Sequence, residues 1–139
     1  MKISELALNI AAKAHQGQKD LALKDYIEHS KAVANSLNTD EEKAIGYLHD
    51  VLEDTSLTEN DLISMGVPKD IVNVVKILTK DKSESYTDYI KRVNNNELAR
   101  KVKIADLKHN MDLSRIPNLN ERDYKRLEKY KKALCYLES

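Results

Sequence analysis

Residues that interrupt regular secondary structure or cross-link the chain are scarce in this sequence. Its 139 residues include 3 glycines, 2 prolines and a single cysteine, Cys135. One cysteine excludes an intramolecular disulfide and any zinc site built on several thiolates, as is typical of proteins from a reducing compartment. The sequence also has no leader pattern and no apolar run near the ~18 residues of a membrane span. We therefore expect a cytoplasmic protein with no membrane contact.

An excess of charge of either sign is also missing. The 23 lysines and arginines balance the 23 aspartates and glutamates. Proteins that bind nucleic acid usually carry a basic excess, so we expect no nucleic-acid partner. An anionic ligand would have to be held by a local cluster of side chains or by a cation. The length fits one domain, residues 1–139, with a core of its own.

Apolar residues recur every three or four positions instead of alternating, which predicts an all-α fold. The segment 71–78 is rich in valine and isoleucine and could form a buried strand, but its spacing is helical and Pro68 suits a first helical turn. We predict N-caps at Ser4, Thr39, Thr58, Asn96 and Asn120, and a loop over 19–25. Helices are predicted near 4–15, 26–37, 40–50, 59–65, 68–79, 86–93, 97–113 and 121–138.

The stretch from Gly46 to Thr55 concentrates side chains that bind metals or protons: His49, Asp50, Glu53 and Asp54. On a helix, the three carboxylates would project from neighbouring turns of one face. His49 and Asp50 would lie near the C-terminal end of a predicted helix, whose carbonyls favour a cation. An imidazole beside a carboxylate suits a divalent ion such as manganese, iron or zinc. A His-Asp pair by itself is often a chance surface neighbour, so the remaining ligands must come from elsewhere.

Two further residues fall near the predicted core. His29 lies four positions before Val33, on or beside the buried face of its helix, where a backbone carbonyl alone would satisfy it. Asp106 is flanked by apolar residues, and a buried carboxylate needs a partner. A cation shared with His29 and the His-Asp pair would supply that partner, and so would Lys103 or Arg115.

The last predicted helix is strongly basic on its polar side. We interpret these cations as a solvated face, which is what such runs usually form. They are Lys125, Arg126, Lys129, Lys131 and Lys132. The residues predicted to face the bundle are Tyr124, Leu127, Leu134 and Leu137.

Four separated segments, 15–18, 26–29, 47–55 and 103–111, read HQGQ, YIEH, YLHDVLEDT and KIADLKHNM in that order. Together they resemble the HD-domain hydrolases of the RelA/SpoT family, in particular the small members that lack a synthetase domain. The resemblance covers about residues 1–116. It implies an all-α HD-domain helical bundle, on which the C-terminal helix, about 120–138, would pack.

The resemblance also implies a function. Family members of this type remove the 3′-diphosphate of guanosine tetraphosphate or pentaphosphate with one divalent cation, usually manganese. The positions that match the metal ligands are His29, His49, Asp50 and Asp106. Glu53 and Asp54 match the hydrolase signature and would orient or deprotonate the attacking water. Substrate contacts are expected from Asn110, Lys24 and Lys103, while His15 and His109 would brace the site. Association into a homodimer stays open.

The loop over 19–25 departs from the family pattern. Asp20 stands where the family has an arginine that packs on guanine, and an aspartate cannot stack on a base and would repel phosphate. Lys24 is one candidate to replace that arginine, and Lys76, Lys80 and Lys82 are others. This departure leaves open an HD phosphatase or pyrophosphohydrolase for another nucleotide. A non-catalytic metal-containing binding module and an all-α protein without a metal also remain alternatives.

Overall fold

The computed structural model describes residues 2–20 and 23–139, and the regular structure in these two ranges is helical. The all-α prediction is confirmed, and the segment that could have formed a strand is part of a helix. In the loop before the second helix, Lys19 and Asp25 form one isolated antiparallel bridge. The helices are α1 Ile3–Ala14, α2 Tyr26–Asn35, α3 Asp40–Leu48, α4 Val51–Asp54, α5 Glu59–Ser64, α6 Lys69–Ile77, α7 Tyr86–Asn94, α8 Glu97–Asn110 and α9 Glu121–Glu138.

Most of the predicted N-caps are present. Thr39, Thr58 and Asn120 close reciprocal capping boxes, and the Asn96 side chain accepts from the third backbone N–H of α8. The prediction for Ser4 is wrong, because α1 begins one residue earlier and Ser4 lies in its first turn. Its hydroxyl donates instead to the carboxylate of Asp40, so this serine ties α1 to the start of α3.

Helices α2 and α3 approach each other closely at Gly46. A Cβ at this glycine would lie 3.1 Å from the Cα of Ala34 and 3.1 Å from the Leu37 side chain. Because the separation of two packed helices depends on the side chains at their contact, any larger residue would push α2 away from α3. The contact brings His29, on α2, next to His49, which follows α3.

Helix α8 occupies a central position, in contact with α2, α3, α6, α7 and α9. Its Val102 and Leu107 are completely buried, and they join a core that includes Ile45 and Leu48 from α3 and Val75 from α6. A helix surrounded in this way has few solvent-facing positions. Asp106, between these core residues, is consequently buried as the sequence predicts.

Helix α9 packs on α7 and α8 through Ala133 and Leu137, which are buried. Leu127 and Leu134 are partly exposed, and Tyr124, predicted to face the bundle, is 52% exposed. At 3.6 residues per turn, Tyr124 points about 140° away from Leu137, which explains the error. None of the helices in the described ranges combines the length and apolar character required to cross a membrane.

Candidate metal centre

The stretch from Gly46 to Thr55 is divided between two helices. Helix α3 ends at Leu48, His49 caps its C-terminus, and Asp50 leaves the helical conformation before α4 begins at Val51. This break directs two consecutive side chains to the same place, with His49 Nε2 2.9 Å from Asp50 Oδ2. The His-Asp pair lies at the C-terminus of a helix, where the sequence predicts it, although the stretch over 46–55 is not one continuous helix.

Four proposed ligands from three parts of the chain converge. One donor atom from each of His29, His49, Asp50 and Asp106 lies within 4.8 Å of the others. Nε2 of His29 is 2.8 Å from Oδ1 of Asp106, and Nε2 of His49 is 3.2 Å from the same oxygen. Two imidazole nitrogens and two carboxylates in one cluster form a donor set suited to a borderline divalent cation.

The outer nitrogens of the two histidines fix the orientation of their rings. Nδ1 of His49 lies 2.6 Å from the carbonyl oxygen of Gly46, which can only accept, so Nδ1 carries the proton it donates. Nδ1 of His29 lies 2.7 Å from Nδ1 of His109. In both rings Nε2 is directed into the cluster, as in metal-binding histidines held from the outside by a second partner. The residues therefore fit a metal ion.

The electrostatics of the cluster favour a cation. Burial disfavours ionisation, but His49 lowers the pKa of Asp50 to about 2, and Lys103 and His49 hold the pKa of Asp106 well below its usual range. Against its own burial, His49 is itself held protonated, because Asp50 and Asp106 raise its pKa well above the usual value. A divalent ion bound to its Nε2 would take over this positive charge and release the proton.

Two side chains besides the histidines hold Asp106. Lys103 Nζ lies 3.0 Å from Oδ2, and Nδ2 of Asn110 donates to Oδ1 over 3.1 Å. Of the two cations that the sequence offered as partners for Asp106, the structure places Lys103 there. Arg115 pairs with Asp20 instead, at 3.3 Å. Lys103 and Asn110 were predicted to contact substrate, and both also line the cavity beside the cluster.

The two carboxylates of α4 lie next to the cluster and are more exposed. Oxygens of Asp50, Glu53 and Asp54 form a second group within 4.8 Å. Burial, together with the charges of Asp50 and Glu53, raises the pKa of Asp54 to about 6. Glu53 accepts from the backbone N–H of Lys80 over 2.8 Å, which fixes its orientation. The pair thus combines a carboxylate that takes up protons readily with one held in place.

The HQGQ segment and Tyr26 contact Asp50 and Asp54 and hold them in position. The Tyr26 hydroxyl donates to Asp50 and lies 3.4 Å from Asp54. Gln18 donates to the backbone carbonyl of Asp54 over 3.0 Å, and its side-chain oxygen lies 3.0 Å from Nδ1 of His15. His15 is buried and stacks on Tyr26, with ring centres 4.7 Å apart. Sequence analysis placed His15 near the site without identifying this chain of contacts.

A cavity of about 280 Å³ adjoins the cluster. Its acidic lining consists of Asp50, Glu53, Asp54 and Asp106. Its basic lining consists of Lys80, Lys103 and Lys129, which lie beside the rings of Tyr86, Tyr89 and Tyr130, and Tyr26 and Asn110 complete the wall. Larger cavities of about 690 and 720 Å³ lie elsewhere and contain none of the four clustered residues.

Lys129 and Tyr130 of α9 were missed as site residues. The basic run of α9 was predicted to be a solvated face, but Lys129 Nζ lies 4.5 Å from the ring centre of Tyr86 and 5.4 Å from that of Tyr130. Nothing in the spacing of the lysines distinguishes Lys129 from Lys131 or Lys132. Only the rotation of α9 against α7 determines which of them reaches the cavity.

The loop over residues 19–25, which departs from the family pattern, lies to one side of the cavity. Lys24, predicted to contact substrate, is exposed and does not line the cavity, and its backbone N–H donates to Asp20 over 3.1 Å. Asp20 is mostly buried and its charge is matched by Arg115. Leu21 and Ala22 of this loop lie outside the described residues. Asp20 is thus an ion-paired side chain, not an isolated negative charge directed at a phosphate.

Comparisons with known proteins give a match in structure but not in sequence. No protein-family model matches the chain, and no curated protein sequence matches it. The fold is similar to a solved structure of a metazoan ortholog of SpoT, which hydrolyses ppGpp and plays a role in starvation responses. The TM-score is 0.76 at 22% sequence identity, over 99% of this chain and 85% of the other. The chain therefore has the fold of that hydrolase.

Proposed function

We propose that this protein is a metal-dependent nucleotide phosphohydrolase that removes the 3′-diphosphate of guanosine tetraphosphate or pentaphosphate. The observation that carries the proposal is the convergence of His29, His49, Asp50 and Asp106 within 4.8 Å, with Asp54 beside them. Its fold likeness to a SpoT ortholog that hydrolyses ppGpp supports the same substrate.

In this proposal the four clustered residues hold one Mn²⁺ ion. When bound, such a cation polarises a phosphoryl oxygen and lowers the pKa of water. The two imidazoles and two carboxylates provide the mixed nitrogen and oxygen donors that suit it. Lys103 and Asn110 keep Asp106 in position, and Gly46 and His109 hold the two histidine rings.

Glu53 and Asp54 handle the water that attacks phosphorus. A carboxylate with a pKa of about 6, as at Asp54, can accept a proton near neutral pH more effectively than an ordinary aspartate. Glu53, fixed by the Lys80 N–H, orients the water. The water oxygen forms a bond to the phosphorus attached to the 3′ oxygen, and its proton passes to Asp54. The bond from this phosphorus to the 3′ oxygen breaks, and the 3′ oxygen takes up a proton from solvent, which leaves free diphosphate and a 3′-hydroxyl.

The basic lining receives the negative charge of the substrate. Lys80, Lys103 and Lys129 border the same cavity as the carboxylates, so phosphate oxygens placed there would meet three ammonium groups. Asn110 borders it too and offers an amide to a ribose or phosphate oxygen. This arrangement explains how an acidic cluster accommodates a highly anionic substrate.

Hydrolysis of a nucleotide panel with added Mn²⁺ tests the proposal. We expect diphosphate release from guanosine tetraphosphate, loss of release in the presence of a chelator, and at least about a 100-fold slower reaction for Asp54→Asn with its metal content unchanged. An Asp70→Asn variant, altered at an exposed carboxylate on α6, provides the matched control. Absence of phosphate or diphosphate release from every nucleotide would contradict the proposal.

A second candidate is hydrolysis of a nucleotide with another base. Asp20 favours it, because this residue replaces the arginine expected to pack on guanine and its partner Arg115 is already engaged. Comparison of kcat/KM for guanosine and adenosine substrates with the same phosphates separates the two candidates. Equal or faster turnover of the adenosine compound would select the second.

A further inference from the structure

A groove of about 460 Å³ runs between α7 and α9 next to the proposed catalytic cavity. Tyr86 and Lys129 line both the groove and that cavity. Because two residues form part of both walls, the groove and the cavity meet at these side chains. We call this groove the α7–α9 groove.

The α7–α9 groove carries an excess of positive charge. Four lysines line it, Lys91, Lys125, Lys129 and Lys132, against one acidic residue, Glu128. Lys125 pairs with Glu121 at 3.7 Å, and Glu128 pairs at 3.6 Å with Lys131, which lies outside the lining. Within residues 2–20 and 23–139, the remaining three lysines of the groove have no carboxylate partner. This local excess stands out on a chain of zero net charge.

The cavity of about 690 Å³ at α5 and α6 provides the contrast. It also shares a lysine, Lys80, with the catalytic cavity, but its other cations are paired. Lys76 lies 3.7 Å from Glu59, and Arg92 forms a 3.0 Å contact with Glu84. Its charges are therefore balanced, whereas those of the α7–α9 groove would attract an anion.

Two side chains at the junction lack the partners that would normally satisfy them. Lys129 sits over the Tyr86 ring, and burial together with Arg126, Lys103 and Lys80 lowers its pKa, as expected for a cation crowded by other cations. The Tyr86 hydroxyl is shielded from solvent and has no hydrogen-bond partner among the described residues. A phosphate oxygen at this point would offer charge to the lysine and an acceptor to the hydroxyl.

We propose that the α7–α9 groove binds a second anionic group of the substrate. The substrate class is a nucleotide with phosphates at two separate positions, one hydrolysed at the metal centre and the other held by Lys91, Lys129 and Lys132. This inference rests on the proposed function and adds to it a requirement for phosphates away from the reacting bond. The groove selects for the far phosphates by charge, because a substrate without them leaves its lysines unpaired.

Two substrates and three proteins, the parent, a double variant and a control variant, test the assignment. The substrates are guanosine tetraphosphate and guanosine 3′-diphosphate with a free 5′-hydroxyl, and the test protein is the double variant Lys91→Ala/Lys132→Ala, loaded with Mn²⁺. We expect kcat/KM for the tetraphosphate to fall about tenfold, the size for two partly exposed ion contacts. The value for the 3′-diphosphate should stay within about twofold. Lys131→Ala, the same change on α9 outside the groove, should alter neither value.

The outcomes separate this inference from the proposed function. If the parent protein hydrolyses both substrates and the double variant loses activity equally on both, or on neither, the groove assignment is wrong and the hydrolase remains. If the parent hydrolyses neither substrate, both the function and the groove assignment fail. Calorimetry of Asp54→Asn with guanosine tetraphosphate should give one molecule per chain, and two per chain would indicate a separate effector site and overturn the assignment.

Discussion

The acidic and basic linings of the same cavity are built differently. In the acidic lining each buried group is held by several partners, and Asp106 alone contacts His29, His49, Lys103 and Asn110. In the basic lining, Lys129 rests on aromatic rings and has no carboxylate partner within the described ranges. A fixed cluster suits bond breaking, where geometry determines rate, whereas partly exposed cations suit recognition of a charged substrate. In the proposed function, chemistry and substrate choice are therefore divided between the two linings.

Removing one residue from the metal cluster behind the acidic lining and one from the basic lining gives the largest expected contrast. His49→Ala takes a ligand from the cluster, so we expect loss of stoichiometric Mn²⁺ binding and at least about a 1,000-fold fall in kcat/KM. Lys129→Ala should leave the metal content unchanged and raise KM about tenfold with little change in kcat. Metal analysis by mass spectrometry and steady-state kinetics measure both effects.

The division of roles makes this pair of variants informative. Lys129 is on α9 and contacts the rings of Tyr86 and Tyr130, not the four clustered residues, so its loss should not disturb them. A Lys129→Ala protein that loses its metal would show that the two linings form one unit. Full activity of His49→Ala with no bound metal would remove the basis of the proposed function.

Lys103 belongs to the basic lining but contacts the acidic one, and its replacement tests how strongly they are coupled. Burial opposes its charge, yet Asp106 raises the pKa of Lys103 well above its usual range. Lys103→Met leaves the buried Asp106 carboxylate without its ammonium partner, so the metal-free protein should lose about 3 kcal/mol of unfolding free energy. Urea denaturation in a chelating buffer measures this loss.

Lys101→Met on the same helix is the matched control. Lys101 pairs with Glu42 at 3.4 Å, but its side chain is 47% exposed, so its removal should cost less than about 1 kcal/mol. Saturating Mn²⁺ should restore part of the loss in Lys103→Met, because the cation also compensates Asp106. Equal destabilisation of the two variants would mean that Lys103 acts as an ordinary surface charge.

The acidic lining and the two histidines behind it could be predicted from sequence because each of these residues lies in a short, distinctive segment. His29 and Asp106 fall on apolar helix faces, and a buried polar residue in such a position requires partners, whichever residues supply them. The HQGQ segment was recognised as part of the set, but its contact with the Asp54 carbonyl depends on how α1 ends against α4.

The basic lining could not be predicted in the same way. A lysine on a solvated face and a lysine at a cavity edge have the same local sequence, and only the angle at which α9 packs on α7 distinguishes Lys129 from Lys131. Ser4 illustrates the same limit, because a serine near a helix start suggests a cap, whereas its partner Asp40 is distant in sequence. Contacts that depend on the relative placement of helices cannot be predicted from the periodicity of the sequence.

The smallest expected effect is on folding stability, and it arises from the raised pKa of Asp54. Its pKa of about 6 lies above the ~3.9 of an unfolded aspartate. The folded state therefore binds this proton more tightly, and ionisation of Asp54 destabilises the metal-free protein above about pH 6, an effect that fades as the pH falls toward 4. Asp54→Asn removes the charge, so its Tm near pH 7.5 should be higher than that of the parent by about 2–4 °C.

Near pH 4.5 the difference should be much smaller, and Asp70→Asn should show no such gain at either pH. The same Tm increase for Asp54→Asn at both pH values would show that the gain does not come from ionisation, and ionised Asp54 would then carry no stability cost.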